Sequence, residues 1–258
     1  MASSDLKTNA SACAYMPEFF PSSPYVTAVG STFGPESGYP ERASQADRGG
    51  GLTSGGGFSF YNPRPSWQNE AVEEYLREYP YGGGFNSGGR GYPDVSLLSL
   101  NTFTFIWSEE PITTVTASGS AVLFAAMVSL VNAARISRGK GPIGFLNVIL
   151  YKEYQYFVND ITVGNNSCSS QLNQFGAVNC CEGLGFQAAE GWDPVTGWGS
   201  INFRAFKNYL ESLGGESNNG GGTKNCMYCN RRRSLTTTNS TTSTKTMSTS
   251  VTESTCLA

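Results

Sequence analysis

The chain of 258 residues contains no histidine. That absence removes the Ser-His-Asp and Cys-His catalytic arrangements and any histidine-ligated zinc. A general base here has to be a carboxylate, a lysine, a tyrosine or a chain terminus. A carboxylate works best near its own pKa, so a hydrolase built from these residues is expected to favour acid. Charge is also scarce: 14% of residues are Asp, Glu, Lys or Arg, and the net charge of −3 goes with an isoelectric point near 5.1. No basic footprint is present, so no nucleic-acid partner is expected. Long apolar runs are lacking too. The longest, Ser120 to Arg135, is interrupted by Ser129 and Asn132 and falls short of the roughly 18 apolar residues of a membrane span. It reads as a core helix. The opening "MASSDLKTNA" has no apolar stretch of the signal-peptide kind, which leaves a protein that is not secreted or a chain without its natural start.

What is present is a core and many turns. Hydrophobic residues make up 39% of the chain, with 15 phenylalanines, and 31 glycines point to tight loops rather than a helical bundle. Residues 21–33 read as a buried strand, and 34–66 as loop. A helix is expected from Ser66, with Trp67, Ala71, Tyr75 and Tyr79 on one face and Pro80 as its stop. "YGGGFNSGGRG" reads as a glycine loop, "YPDVSLLSL" as a strand buried on both sides, and "FTFIWS" and "ITTVTAS" as further strands. Gly139 is expected to end the helix of 120–135, with later helices in "GFLNVILYKEY" and "NFRAFKNYLESL". The last of these carries Phe203, Phe206, Tyr209, Leu210 and Leu213 as its apolar stripe. Residues 1–214 therefore form the folded part. Residues 215–258, rich in Gly, Ser and Thr, read as a disordered tail.

Seven cysteines are spread along the chain, three of them (Cys168, Cys180, Cys181) in a polar loop of the kind that secreted proteins staple. Cys226 and Cys229 form a lone CxxC without the second pair that a zinc site needs. Asn-x-Ser/Thr acceptor triplets at Asn9, Asn165 and Asn239 agree with a secretory route, though such triplets also arise by chance.

Two places carry chemistry. In "VTASGSAVLF" a strand runs into small residues and then a helix, which puts Ser118 at a helix N-terminus. Backbone N–H groups there can hold a developing oxyanion, and small neighbours leave room for a substrate carbonyl. The plainer reading is a serine that merely caps the helix. Asp160 in "NDIT" and Asp193 in "GWDPVTG" are loop carboxylates among residues that let carbonyls approach, a mixture that hard cations such as calcium prefer. The plainer reading of "WDPVTG" is an Asp-Pro turn.

Taken together, "FFPSSPYVTAVGSTF", "SGGGFSFYNPRPSWQNEAV", "GRGYPDVSLLS", "FAAMVSLVNAARISRGKGPIGFLNVILY", "NDIT" and "GWDPVTGWGSINF" resemble consecutive blocks of the sedolisins, the serine-carboxyl peptidases, and most closely their tripeptide-releasing branch. The resemblance runs from about Cys13 to Leu210 and implies an α/β fold of subtilisin-like type, a mainly parallel sheet with helices on both faces, present here as the C-terminal part of a domain. It implies an acid peptidase acting on peptides or unfolded proteins, located outside the cell or in a lysosome or vacuole. It implies Ser118 as nucleophile and one Ca2+ held by the carboxylates of Asp160 and Asp193 and the main-chain carbonyls of Ile161, Ala189 and Gly191. In this family a glutamate oriented by an aspartate replaces the imidazole, and a further aspartate helps to hold the oxyanion.

The chain departs from the pattern in two respects. The family's Gly-Thr-Ser-Ala-Ser-x-Pro is here Thr116-Ala117-Ser118-Gly119-Ser120-Ala121-Val122, with a β-branched residue in place of the first glycine and valine in place of proline. The block that carries the Glu/Asp pair in the family has no counterpart in this sequence, and Asp5 is the sole candidate for the oxyanion aspartate. Glu70, Glu73 and Glu74 lie on a different helix and are not read as the base. The alternative is a relative that keeps the scaffold and metal loop without catalysis. Asp94 is read as fixing a turn at a strand edge, Gly55 to Gly57 as a cleft border or a tight turn, and Cys13 as pairing within the 168–181 cluster.

Overall fold

Proline and glycine decide where this chain can form sheet, and they move several boundaries from where apolar pattern alone puts them. The computed structural model describes residues 2–4, 13–107, 110–115, 118–170, 178–181 and 183–214; Asp5, Thr116, Ala117 and the expected tail at 215–258 lie outside the described residues. In chain order the strands and helices are β1 (Ala2–Ser4), β2 (Cys13–Tyr15), β3 (Val29–Phe33), β4 (Arg42–Ala43), β5 (Gly57–Pro63), α1 (Asn69–Glu78), β6 (Gly89–Tyr92), β7 (Val95–Leu98), β8 (Leu100–Trp107) and β9 (Glu110–Val115). They continue as α2 (Gly119–Ile136), α3 (Asn147–Glu153), β10 (Val158–Asn159), β11 (Cys168–Ser170), β12 (Val178–Cys180), β13 (Ser200–Ile201) and α4 (Phe203–Ser212).

The central sheet has the order β10-β13-β7-β3-β4. Its three inner strands run parallel, and the two edge strands pair antiparallel. With helices packed around it, this is the expected α/β architecture. Strand β7 is covered on both sides, as its apolar run suggests: Val95, Ser96 and Leu97 are all buried. The polar member of that trio is satisfied, since Ser96 Oγ donates to the Thr196 carbonyl at 2.8 Å. Strand β3 starts at Val29 rather than at Pro21. Pro21 and Pro24 lack an N–H for a sheet ladder, and the stretch folds instead into turns that leave Tyr25 exposed.

Two sequence expectations need correction. Residues 57–63 and 89–91, read as loop, belong to two strands that pair antiparallel, β5 with β6, with α1 between them in the chain. Glycine here serves close backbone approach rather than looseness. A Cβ on Gly89 would lie 2.0 Å from the Ser59 carbonyl, and one on Gly91 would lie 2.6 Å from the Trp192 ring. The helix expected to be buried all round, α2, presents one stripe to β3 and β7, with Phe124 and Val131 buried, while Val122, Leu130 and Ile136 on other sides are exposed. Among the described residues α2 is the one helix long and apolar enough to cross a membrane by length and composition.

The remaining helices follow their patterns. A 3-10 turn over Ser66–Gln68, with Trp67 half-buried, leads into α1, which buries Ala71 and Tyr75; the cap positions are Pro65 and Gln68 rather than Ser66, and neither makes a side-chain capping bond. Asn202 caps α4, its side chain accepting from the Ala205 N–H, and Phe206 and Leu210 reach the core. Phe206 packs against Phe124 and Phe157 with ring centroids 5.9 and 5.2 Å apart. Each such side chain taken wholly out of water contributes about 2 kcal/mol, so this contact fixes α4, α2 and the turn before β10 as one body.

Asp94 joins strand ends, as its turn position suggests. Its carboxylate accepts from the Ala28 N–H at 2.7 Å and from the buried Arg90 guanidinium at 2.6 Å, and its carbonyl accepts from Trp198 N–H at 3.0 Å. The disulfides Cys13–Cys181 and Cys168–Cys180 tie the β2 segment and the β11–β12 hairpin together, and Cys13 does pair within the 168–181 cluster.

Candidate functional site

Ser118 stands at the head of α2 with helical backbone angles (φ −75°, ψ −16°). A serine that only caps a helix takes an extended backbone and spends its hydroxyl on an N–H one turn ahead. Ser118 does neither: its side chain makes no capping bond, and it is exposed. The hydroxyl therefore faces solvent beside the positive end of an 18-residue helix. Its neighbours Gly119 and Ser120 are buried, which fixes the turn from below. No hydrogen bond joins Ser118 to a carboxylate among the described residues.

The second cluster forms where the segment after β10 meets the loop before β13. Asp193 and Gly197 exchange backbone hydrogen bonds of 3.1 and 2.9 Å, closing a tight turn. Gly197 has φ +64°, and a Cβ there would lie 2.4 Å from the Asp94 carbonyl, so only glycine fits. Inside the turn the Asp193 carboxylate is wholly buried. Oδ1 accepts from the N–H groups of Val195 and Thr196, both at 2.8 Å, and Oδ2 accepts from Ala189 N–H and Thr196 Oγ1, both at 3.0 Å. Thr196 Oγ1 also lies 3.3 Å from the Ile161 carbonyl, and Gly191 N–H donates to Asp160 Oδ2 at 2.8 Å. These bonds bring Asp160, Ile161, Ala189, Gly191 and Asp193 into one cluster, and the Asp-Pro turn is present within it.

Burial pushes the Asp193 carboxyl up to about 7, against the opposing pull of its N–H donors. Asp160 is also raised, first by desolvation, with the Gly191 N–H acting the other way. Among the described residues no lysine or arginine pairs with either carboxylate. The cluster is thus rich in hard oxygen donors and short of positive charge, which fits calcium by donor type. One feature constrains the fit. A carboxylate has about four lone-pair directions, and four donors already fill those of Asp193, so a cation must displace at least one of them. The longer pair on Oδ2 is the more easily released.

Sequence pattern alone does not reveal what supports this cluster. Tyr75 of α1 donates to the Gln187 carbonyl at 2.9 Å and meets the Tyr81 hydroxyl at 2.5 Å, while Gln187 N–H donates to Tyr81 at 3.0 Å. Burial raises both phenols far from ionisation, so they act as fixed hydrogen-bonding groups. Tyr75 is legible as a core position from helical spacing, but its hydroxyl partner across the fold is not. Asn166 is likewise buried, accepting from Phe186 N–H at 2.7 Å and donating to the Gly56 carbonyl at 3.3 Å. Gly56 itself lies against the Pro194 carbonyl, 1.9 Å from where a Cβ would stand, so Gly56 serves the packing of the loop that carries Asp193, while Gly55 lies against Glu18.

No protein-family model matches the chain. Among curated proteins, tripeptidyl-peptidase 1 of Bos taurus is 42% identical over 196 residues, which is 74% of this chain and 32% of that protein. Tripeptidyl-peptidase 1 of Homo sapiens and that of Mus musculus are each 40% identical over the same shares. The chain thus spans about a third of the length of the curated relatives it matches. Among solved structures, Pseudomonas sedolisin, a serine-carboxyl proteinase complexed with two molecules of pseudo-iodotyrostatin, superposes with a TM-score of 0.53 at 26% identity, covering 76% of this chain and 48% of that one.

Proposed function

This chain belongs to the sedolisin family of serine-carboxyl peptidases, and from that premise we propose that Ser118 is the nucleophile of an acid peptidase whose loops one calcium ion braces. The observation that carries the reading is the exposed Ser118 hydroxyl at the head of α2, which no cap consumes. In the reaction, Ser118 Oγ attacks the scissile carbonyl carbon and passes its proton to a carboxylate. The carbonyl oxygen becomes an oxyanion close to the positive end of α2. Collapse expels the amine, which takes the proton, and water then releases the acyl group from Ser118 by the reverse transfers.

The base is a glutamate oriented by an aspartate, as the family resemblance implies, and it comes from outside the described residues. Residues 1–214 carry the peptidase scaffold, and 215–258 form an appended tail. Calcium, when bound, would supply positive charge beside the buried Asp193 and the exposed Asp160 carboxylates; these two and the carbonyls of Ile161, Ala189 and Gly191 would hold it. Substrates are peptides or unfolded proteins, trimmed as tripeptides from the N-terminus, and the working compartment is extracellular, lysosomal or vacuolar. The two disulfides agree with such an oxidising route.

The test is peptide hydrolysis near pH 4 by the native protein and by Ser118→Ala. We expect the substitution to lower kcat by about 10⁴-fold or more. A second reading, a non-catalytic scaffold, is favoured by the lack of a carboxylate partner for Ser118 among the described residues. Native protein that hydrolyses no peptide in acid, with or without Ser118, decides for that second reading.

A further inference from the structure

Residues 164–168 sit beside the metal-loop cluster, yet one side chain there takes no part in it. Asn165, Asn166 and Ser167 alternate between half-buried, buried and half-buried, the period of an extended segment, and Asn165 bridges Gln187 as a strand would. Asn166 points inward, where Phe186 and Gly56 satisfy it. Asn165 and Ser167 therefore share the outer side. There Asn165 Oδ1 accepts from the Ser167 N–H at 3.1 Å and from the Ser167 hydroxyl at 2.5 Å. A backbone N–H can only donate, so the amide orientation is fixed and Nδ2 faces away from the turn. That nitrogen hydrogen-bonds to no other described residue.

We propose that Asn165 is an N-glycan acceptor and carries an N-linked oligosaccharide in the native protein. The triplet Asn165-Asn166-Ser167 has the required hydroxyl residue two places on. The fold holds that hydroxyl on the asparagine amide and leaves the reacting nitrogen outward. The donor is a lipid-pyrophosphate-linked oligosaccharide. A bond forms between Asn165 Nδ2 and the anomeric carbon, the bond from that carbon to the pyrophosphate oxygen breaks, the pyrophosphate leaves with the electron pair, and one amide proton passes to a base of the transferase. The neighbouring Asn166 is not an acceptor, because its amide is buried. Both disulfides place this segment in an oxidising compartment, which is where such donors are found. Because Gln187 opposite is exposed, the sugar projects from the rim of the loop cluster without displacing its inner bonds.

The experiment secretes the full chain from a eukaryotic host, checks both disulfides by non-reducing peptide mapping, and removes glycans with an amidase in ¹⁸O water. The peptide holding Asn165 is expected to carry the ¹⁸O-labelled aspartate, to lose it in Ser167→Ala and to keep it in Ser167→Thr. Asn165→Gln is expected to run one glycan smaller than the parent. Should Asn165→Gln fail to be secreted, the Ser167 pair still decides. Recovery of the Asn165 peptide unlabelled from correctly disulfide-bonded wild-type protein overturns the assignment, as does a label that survives in Ser167→Ala.

Discussion

The buried Asp193 carboxylate ties the backbone at Ala189 to that at Val195 and Thr196. Four donors from three residues converge on its two oxygens, and none of them is a charged group. Asparagine in its place keeps one acceptor oxygen but sets an NH2 group against N–H donors. Buried hydrogen bonds to a charged acceptor contribute about 1.5–3 kcal/mol each, and a stranded donor costs a similar amount. Asp193→Asn is therefore expected to lose about 3–5 kcal/mol of folding stability, read as an earlier urea midpoint at unchanged slope. Thr196→Val, which removes one hydroxyl bond and leaves the rest, is expected to cost about 1–2 kcal/mol by the same measurement. Asp160 and Asp193 stand out in the sequence because turn chemistry and carboxylates mark them, and the fold brings their loops together. The Tyr75–Tyr81 support is not, since a tyrosine on an apolar helix face looks the same whether or not its hydroxyl finds a partner across the fold.

At the scale of elements, the helices and the β8–β9 strands are readable from the sequence, and the β5–β6 pair is not. Helical spacing places α1, α3 and α4 within a few residues, because each buries one stripe and ends at a glycine, a proline or a change of pattern. Strands β5 and β6 escaped that reading because their glycines look like loop punctuation, whereas Gly89 and Gly91 exist to admit the Ser59 carbonyl and the Trp192 ring. Helix α2 marks a different limit: composition reports how apolar a helix is, not how much of it is covered. Val131 is fully buried while the adjacent Leu130 is 58% exposed. Leu130→Ser is accordingly expected to change stability by no more than about 0.5 kcal/mol, and Val131→Ala to cost about 2 kcal/mol. Thermal unfolding of the two variants side by side checks the contrast. Equal losses at both positions would mean that α2 is covered on both sides.

For the whole molecule, the match to the curated relatives covers about a third of their length, and the described part of this chain holds a parallel sheet centre, the helix headed by Ser118 and the two loops that carry Asp160 and Asp193. The proposed calcium site joins the segment after β10 to the loop before β13, so an ion bound there is expected to act on global unfolding rather than on one loop. Binding to the folded form alone adds stability that grows with free ion concentration, about 2.7 kcal/mol at one hundred times Kd. Addition of calcium to chelator-treated, folded protein is expected to raise Tm by several degrees and to do so with one ion per chain. The rise should vanish in Asp160→Ala. A Tm indifferent to calcium removes the metal from the account while leaving the serine chemistry untouched.

The central claim is that Ser118 forms a covalent bond to the acyl half of a cleaved peptide. The most direct measurement is acid quenching of the native protein during turnover near pH 4, followed by mass mapping of its peptides. An acyl mass increment is expected on the peptide containing Ser118, absent in Ser118→Ala together with turnover. Turnover that continues in Ser118→Ala, or an increment confined to a different serine, contradicts it.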